Sequence, residues 1–423
     1  MTRTIPFAVA ATLSTILFSS SALAGAFALR EQSSWFQGMS FAGHATATKS
    51  LSSMYWNPST MTAHDGVQSE TVQTFVLPRG TIDLDNATID VLGIPVTGVP
   101  YSSGDVGVNA WLPSGYGTWK VNDRLSLGVS SNAPYGLETK PDIEWAGQVY
   151  ARSSRVFSVN VTPMAAFQVT DKFSVGAGLQ LEYIQVRLKS ATGVPPIAAA
   201  SPTAELRGED YNLGFGATVG ALFEPWKGTQ LGIGYRSPVE HNLKGRLVVG
   251  GDAPTPIRAN IIMPETVSVS FQQELNTEWR ALGSFEWTHW SRFGTFPVFN
   301  LSGDVVTELP FQYNDGYLIA LGTEYDFTEN ITGRFGLAYE WSPIDEANRT
   351  PRLPDSNRFW LSAGLSYFYE DWLSFDFGYT HIFPEASNIN INPDHPFYEG
   401  ITIQGPVNDT NIDILSAALR ITY

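Results

Sequence analysis

Residues Asp413 to Tyr423 read D-I-L-S-A-A-L-R-I-T-Y, and no other stretch of the chain restricts its fold more. Leu415, Ala417, Leu419, Ile421 and Tyr423 fall on one side of an extended backbone, with Ser416, Ala418, Arg420 and Thr422 on the other. A helix would repeat its apolar residues about every 3.6 positions, so a period of two specifies a strand with one apolar face. Closing on an aromatic, the stretch has the form of a strand whose apolar face meets lipid.

The pattern recurs. Phe335, Leu337, Tyr339 and Trp341 alternate with Arg334, Gly336, Ala338 and Glu340. Leu373, Phe375, Phe377 and Tyr379 alternate with Ser374, Asp376, Gly378 and Thr380, and Tyr211 to Val219 behaves alike. A soluble sandwich also alternates, but here large rings share the apolar face while Gly, Ser, Asp, Arg and Glu take the other. A small soluble barrel must fill its interior with bulk; these strands put bulk outside. Composition agrees, with 13% aromatic and only 16% charged residues, against about 25% charged in ordinary soluble domains. Beyond the first residues no apolar run reaches the ~18 residues of a spanning helix. The expected class is therefore all-β, a transmembrane antiparallel barrel.

Residues 1–24 read as a secretory leader. Arg3 supplies the positive start, Ile5 to Phe18 the apolar stretch, and Ala22-Leu23-Ala24 the small-x-small cleavage signal, so the mature chain is expected to begin at Gly25. The absence of cysteine excludes a disulfide scaffold. A net charge of −16 argues against nucleic acid as a partner. That charge fits solvated loops, or acidic loops bridged by divalent cations to anionic outer-leaflet lipid.

Short polar turns at 122–124, 170–172, 224–228, 276–278, 326–330 and 370–371 alternate with longer connections at 79–105, 136–152, 189–208, 238–265, 291–312, 342–357 and 382–411. Alternate short and long loops match the inner and outer rims of an outer-membrane barrel, and give about 14 strands. The expected units are a leader (1–24), an N-terminal plug or hatch (25–65) and the barrel (66–423). The plug region is rich in Ser, Ala and Gly, lacks alternation, and is too apolar for a disordered tail. A barrel of this width leaves a lumen, and its economical place is inside.

An ordered series of motifs resembles the FadL family of outer-membrane long-chain fatty acid and hydrocarbon transporters. It runs from Ala26-Phe27-Ala28-Leu29 and Asn57-Pro58-Ser59, where the family usually has Asn-Pro-Ala, through Asn132-Ala133-Pro134-Tyr135-Gly136-Leu137 and Gly234 to Val239. Trp287-Thr288-His289-Trp290-Ser291-Arg292-Phe293, Ser342-Pro343-Ile344 and Leu353 to Trp360 complete it. The resemblance spans essentially the whole mature chain. It implies capture of a hydrophobic ligand among the outer loops, an apolar pocket touching the plug's N-terminus, and plug movement. Lateral release then follows through an inward kink in the third strand. It also implies a monomer in contact with outer-membrane lipid and lipopolysaccharide, inserted by the barrel-assembly machinery, with no cofactor and no enzymatic activity.

The residues themselves leave several readings open. Pro134 cannot donate to a sheet ladder and Gly136 has the freedom of a bulge, so Ser131 to Gly136 is either a kinked strand or a strand end near Asn132. With Tyr135 between them, these are the candidate gate, and the resemblance favours the kink. Val194 to Ala200 and Phe293, Phe296, Val298, Phe299 and Leu301 make two outer connections apolar: a capture groove, or a lid packed on itself. Phe27, with Leu29, reaches either the ligand pocket or ordinary plug packing; Asn57 and Pro58 form the family turn. Lys189 is a head-group partner or a solvated lysine. Arg236, Glu286, Arg334 and Glu340 are expected to face the lumen and hold the plug, or one another, in ion pairs. The six histidines lack metal-ligand spacing and no Gly-x-Ser-x-Gly elbow occurs. The alternatives are a barrel lipid hydrolase and a general porin.

Overall fold

A computed structural model describes residues 25–196 and 202–423. The expected leader and the Ile197 to Ala200 part of one apolar loop lie outside these residues. No helix among the described residues is long and apolar enough to cross a membrane.

Fourteen long strands form one closed antiparallel sheet. They are β1 (Val67–Asp83), β2 (Ala110–Lys120), β3 (Leu125–Asn132, then Gly136–Thr139), β4 (Ser153–Thr170) and β5 (Phe173–Ala191). Then come β6 (Thr203–Glu209, then Gly214–Phe223), β7 (Thr229–Arg236, then Val239–Val249), β8 (Thr255–Met263, then Thr266–Glu274) and β9 (Trp279–Thr288). The last five are β10 (Gly316–Thr328), β11 (Ile331–Trp341), β12 (Arg358–Glu370), β13 (Leu373–Pro384) and β14 (Ile401–Thr422). β14 pairs with β1 from Gln68↔Thr422 to Ile82↔Val407, which closes the cylinder and removes its edges.

The expected alternation is realised strand by strand. On β13, Ser374, Asp376, Gly378 and Thr380 are buried, while Phe377 is 52% and Tyr379 42% exposed. A soluble protein would not leave such a belt in water. On β5 the outward row runs from Phe173 to Tyr183 before turning polar. The ten steps from Phe173 to Tyr183 rise about 33 Å along the strand, or about 25 Å of height at a tilt near 40°, the thickness of a barrel's lipid-facing band.

The longer connections differ from expectation. The regions 203–209, 238–265 and 291–312 are largely strand: β6 to β8 extend beyond the band, and Thr295–Asn300 pairs with Val305–Pro310 as a hairpin. Pro238, which cannot donate to a ladder, marks a break in β7. In β6, the break is at Asp210–Leu213 with Leu213 at φ 63°, so Tyr211 and Leu213 lie in a turn rather than in the expected strand.

Every residue from Gly25 to His64 is buried except Ala28, Thr48, Lys49 and Ala63. A short helix (Ser34–Gln37) and two 3-10 turns (Leu51–Tyr55, Pro58–Ala63) supply its regular structure, each started by a Ser or Asn cap. The segment meets the inward faces of strands around the barrel. The Gly43 N–H donates to Ser284 Oγ (2.8 Å), Ala45 N–H to Ser270 Oγ (3.1 Å) and Leu51 N–H to Glu70 Oε2 (2.7 Å), and Ser40 Oγ lies 2.7 Å from Ser362 Oγ. Small residues on the lumen face permit this approach. A Cβ on Gly322 would sit 2.9 Å from that of Ala42.

Candidate functional site

The wall is breached at β3. Its first piece pairs with β2 only from Lys120↔Ser126 to Gly115↔Ser131; past that point Pro134 interrupts the ladder and the two strands part. The chain just ahead of β2 meets β3 again at the isolated bridge Gly107↔Thr139. On its other side β3 stays joined to β4, through Asn132↔Asn160 and Gly136↔Phe157. The middle of β3 turns inward, since Tyr135 Oη donates to the carbonyl of Pro264 on β8 (3.1 Å).

The N-terminal segment takes the place of β2 along this stretch. The Leu29 N–H donates to Pro134 O (2.8 Å) and the Gly136 N–H to Phe27 O (2.9 Å), on either side of the antiparallel bridge Ala28↔Tyr135. It is strand addition within one chain, with backbone bonds supplying the fit. Gly136 is required by this approach, because a Cβ there would stand 2.7 Å from Leu29 Cδ1.

Gln32 ties the segment across the breach. Its Oε1 accepts from Ser114 Oγ on β2 (2.9 Å) and Asn132 Nδ2 on β3 (3.1 Å), while its Nε2 donates to the carbonyls of Ala133 (2.8 Å) and Leu29 (3.0 Å). Tyr116 Oη on β2 donates to the Gln32 carbonyl (2.7 Å) and accepts from Asn132 Nδ2 (2.8 Å). Gln32 is 1% exposed, so each of its polar groups is met by protein.

Below the outer loops Phe27 enters an aromatic box. Its ring centre lies 4.7 Å from Trp290, 5.3 Å from Phe293 and 6.2 Å from Tyr135, all edge to face. Phe296, 4.8 Å from Phe293, continues the stack, which Tyr313 and Phe311 complete. Ile344, Leu353, Met263 and Val239 pack with them. Burial in this box pushes the Tyr313 hydroxyl well above its ordinary value.

Beside the box lies a buried ionic cluster. Arg30 donates to Glu286 (2.9 Å) and to Glu340, Trp360 Nε1 donates to Glu340 (3.2 Å), and Arg358 pairs with Asp355. The backbone N–H groups of Gly25 and Ala26 donate to Glu340 (2.9 Å) and Asp355 (3.0 Å). Burial pushes the nearby Glu31 carboxyl up to about 7. Arg334 stacks 3.4 Å over the Trp35 ring, and Arg236 donates to Tyr55 O (3.0 Å). Arg236, Glu286, Arg334 and Glu340 thus all bear on the segment, as their inward parity requires.

Of the candidates from sequence, Phe27, Leu29, Pro134, Tyr135, Gly136, Phe293 and Phe296 come together here. The rest lie apart. Asn57 caps the turn that Pro58 opens, donating to Ala45 O (2.8 Å) and Ala221 O (3.0 Å) near the other end of the segment. Phe299 alternates with Phe296 and Val298 and so leaves the box for the hairpin's other face. Lys189 points outward and pairs with Glu205 at 2.7 Å. Val194 packs with Trp145, Tyr150 and Ile389 among the outer loops. Trp290, inside a quoted motif, was findable; Gln32 and Tyr313 carry no pattern that sequence alone distinguishes.

Fold and site together define an outer-membrane β-barrel whose wall opens at one strand and is closed there by the chain's own N-terminal residues. The chain belongs to the family described as outer membrane protein transport protein (OMPP1/FadL/TodX), whose model matches residues 15–412. The long-chain fatty acid transport protein of Salmonella typhi is 26% identical over 411 residues, covering 89% of this chain and 92% of that one. The crystal structure of a Pseudomonas aeruginosa FadL homologue superposes with a TM-score of 0.85 at 22% identity, over 94% of this chain and 99% of that one. That of the Pseudomonas putida toluene transporter TodX does so at 0.66 and 15% identity, over 95% and 99%. The protein resides in the bacterial outer membrane.

Proposed function

We propose that the chain carries long-chain fatty acids or hydrocarbons inward across the outer membrane without an energy source, and that residues 25–65 act as its plug. The observation that carries this reading is the seat of Phe27 to Leu29 in the breach of β3. The same short segment stops the side opening and fills one wall of the aromatic box. A ligand captured at the loops and entering the box would compete with Phe27 for those rings. Its arrival would favour states with Phe27 to Gln32 withdrawn, and withdrawal uncovers the side opening. Lateral exit keeps an apolar cargo in contact with lipid, preserving about 0.8 kcal/mol for each CH₂ that release into water would forfeit. The similarity to a fatty acid transporter and a toluene transporter, by their names, supports the cargo class.

The sheet closes on itself, which suits a monomer, and insertion by the barrel-assembly machinery is part of the same proposal. A general porin would need an open passage where this chain packs the segment. Uptake into proteoliposomes is the test, comparing labelled oleate and hexadecane with labelled sugar. Passage of the sugar without the apolar solutes would overturn the reading.

A further inference from the structure

Above the lipid-facing band, the ladder sets arginines directly opposite one another. Arg155 of β4 faces Arg187 of β5, Arg187 faces Arg207 of β6, and Arg207 faces Arg246 of β7. Like charges in direct opposition destabilise a sheet, so such a row calls for an anion. All four point away from the lumen: on β5 the buried inward residues are Gln180, Glu182 and Ile184, and Arg187 shares the outward parity of Tyr183.

Protein carboxylates meet the row only in part. Arg207 pairs with Glu209 at 2.6 Å, but Glu138 stands 3.8 Å from both Arg155 and Arg187, at the limit of an ion pair. The Nε atoms of Arg155 and Arg187 have no hydrogen-bond acceptor. Lys189 and the facing pair Lys244↔Arg258 extend the patch to seven cations, against Glu138, Glu205, Glu209 and Glu240. This surplus sits in a chain whose net charge is −16.

Height selects the partner. Arg187 follows Tyr183 by four residues, about 13 Å further along the strand, and Arg155 lies just beyond Phe157 on β4, whose ring is 6.3 Å from that of Tyr183. The row therefore stands where acyl chains end and headgroups begin. We propose that it binds the phosphate groups of an anionic glycolipid of the outer leaflet, seated across β4 to β7 with its chains along the aromatic band. Guanidinium forks match phosphate oxygens two by two. Bound phosphate turns four opposed cations from a cost into a site. A soluble acidic protein would reach the row only from above and would leave the apolar band beneath it unmatched.

Native mass spectrometry of the full chain in detergent tests this. The probes are a hexa-acyl glucosamine disaccharide bearing two phosphates, the same lipid stripped of both, and inorganic phosphate. The bis-phosphorylated lipid should bind, and the stripped lipid and free phosphate should bind at least about tenfold more weakly. Arg187→Gln/Arg207→Gln should bind that lipid at least about tenfold more weakly, whereas Arg124→Gln/Lys172→Gln, which removes two charges from the short turns, should bind as the parent does. In lipid-free detergent the row variant should unfold at an equal or higher temperature, because opposed charges have been relieved; Arg246→Gln serves if the double variant does not fold. Equal binding of the phosphorylated and stripped lipids, or undiminished binding by the row variant, overturns the proposal.

Discussion

The carbonyl of Phe27 accepts the N–H of Gly136 at 2.9 Å, so a residue of the N-terminal segment completes a ladder bond that β2 leaves unmade in β3. Wall and N-terminal segment are one sheet at this point. Four consequences can be measured.

Gln32→Ala removes the clasp between β2 and β3. It leaves Asn132, Ser114 and two carbonyls to find other partners, at a local cost of about 2–4 kcal/mol. Hydrogen exchange should accelerate at the amides of Leu29 and Gly136 and stay unchanged in β10 to β13. Unaltered protection at Leu29 would mean that the clasp holds nothing.

Phe27→Ala empties the centre of the aromatic box, an excision that typically costs about 3–5 kcal/mol locally. Oleate uptake at matched expression should fall roughly tenfold, with the barrel's unfolding temperature unmoved. Normal uptake would separate the box from transport.

Pro134→Val with Gly136→Val restores a ladder donor and drives a branched side chain toward Leu29 Cδ1, already 2.7 Å from where a Cβ would stand. Ligand binding in detergent should stay within about threefold of the parent while uptake drops at least tenfold. If uptake persists, cargo leaves by another route.

Glu31 carries a pH dependence. Burial raises its carboxyl from 4.5 to about 7 in the seated segment, so seating favours the protonated form. The penalty for ionising it is absent below about pH 4.5, accumulates as pH rises, and is complete above about pH 7, at about 3 kcal/mol. Protease access to residues 25–32 should therefore increase between pH 5 and 8 in the parent and stay flat in Glu31→Gln. A parallel rise in both would assign the effect elsewhere.

The barrel was legible because its signal is local: strand parity and polar turns such as Asn122-Asp123-Arg124 need only neighbouring residues. Pro134 and Gly136 marked the breach for the same reason. The outward continuation of β7 and β8 was hidden, since Pro238 reads as an end when nothing shows that pairing resumes with Met263↔Val239. Gln32 is one glutamine in a Ser- and Gln-containing stretch, and its role depends on Ser114 and Asn132, each far along the chain. Phe299 illustrates the converse error, because an apolar run on a hairpin does not reveal which of its two faces turns inward. The arginine row depends on inter-strand register, which no strand discloses alone.

The breach is framed below by Gly115↔Ser131 and above by Gly107↔Thr139, and neither joint includes a residue of the N-terminal segment. On the proposed route of lateral exit, this frame would act as a slot that admits a molecule end-on and limits its girth. With Phe27 and Leu29 gone, the Gly136 amide and Pro134 carbonyl would face hydrocarbon unmet, each at about 1–3 kcal/mol. On the proposed route the vacant slot would be the costlier state, and those two bare backbone groups would favour the segment's return without an energy source.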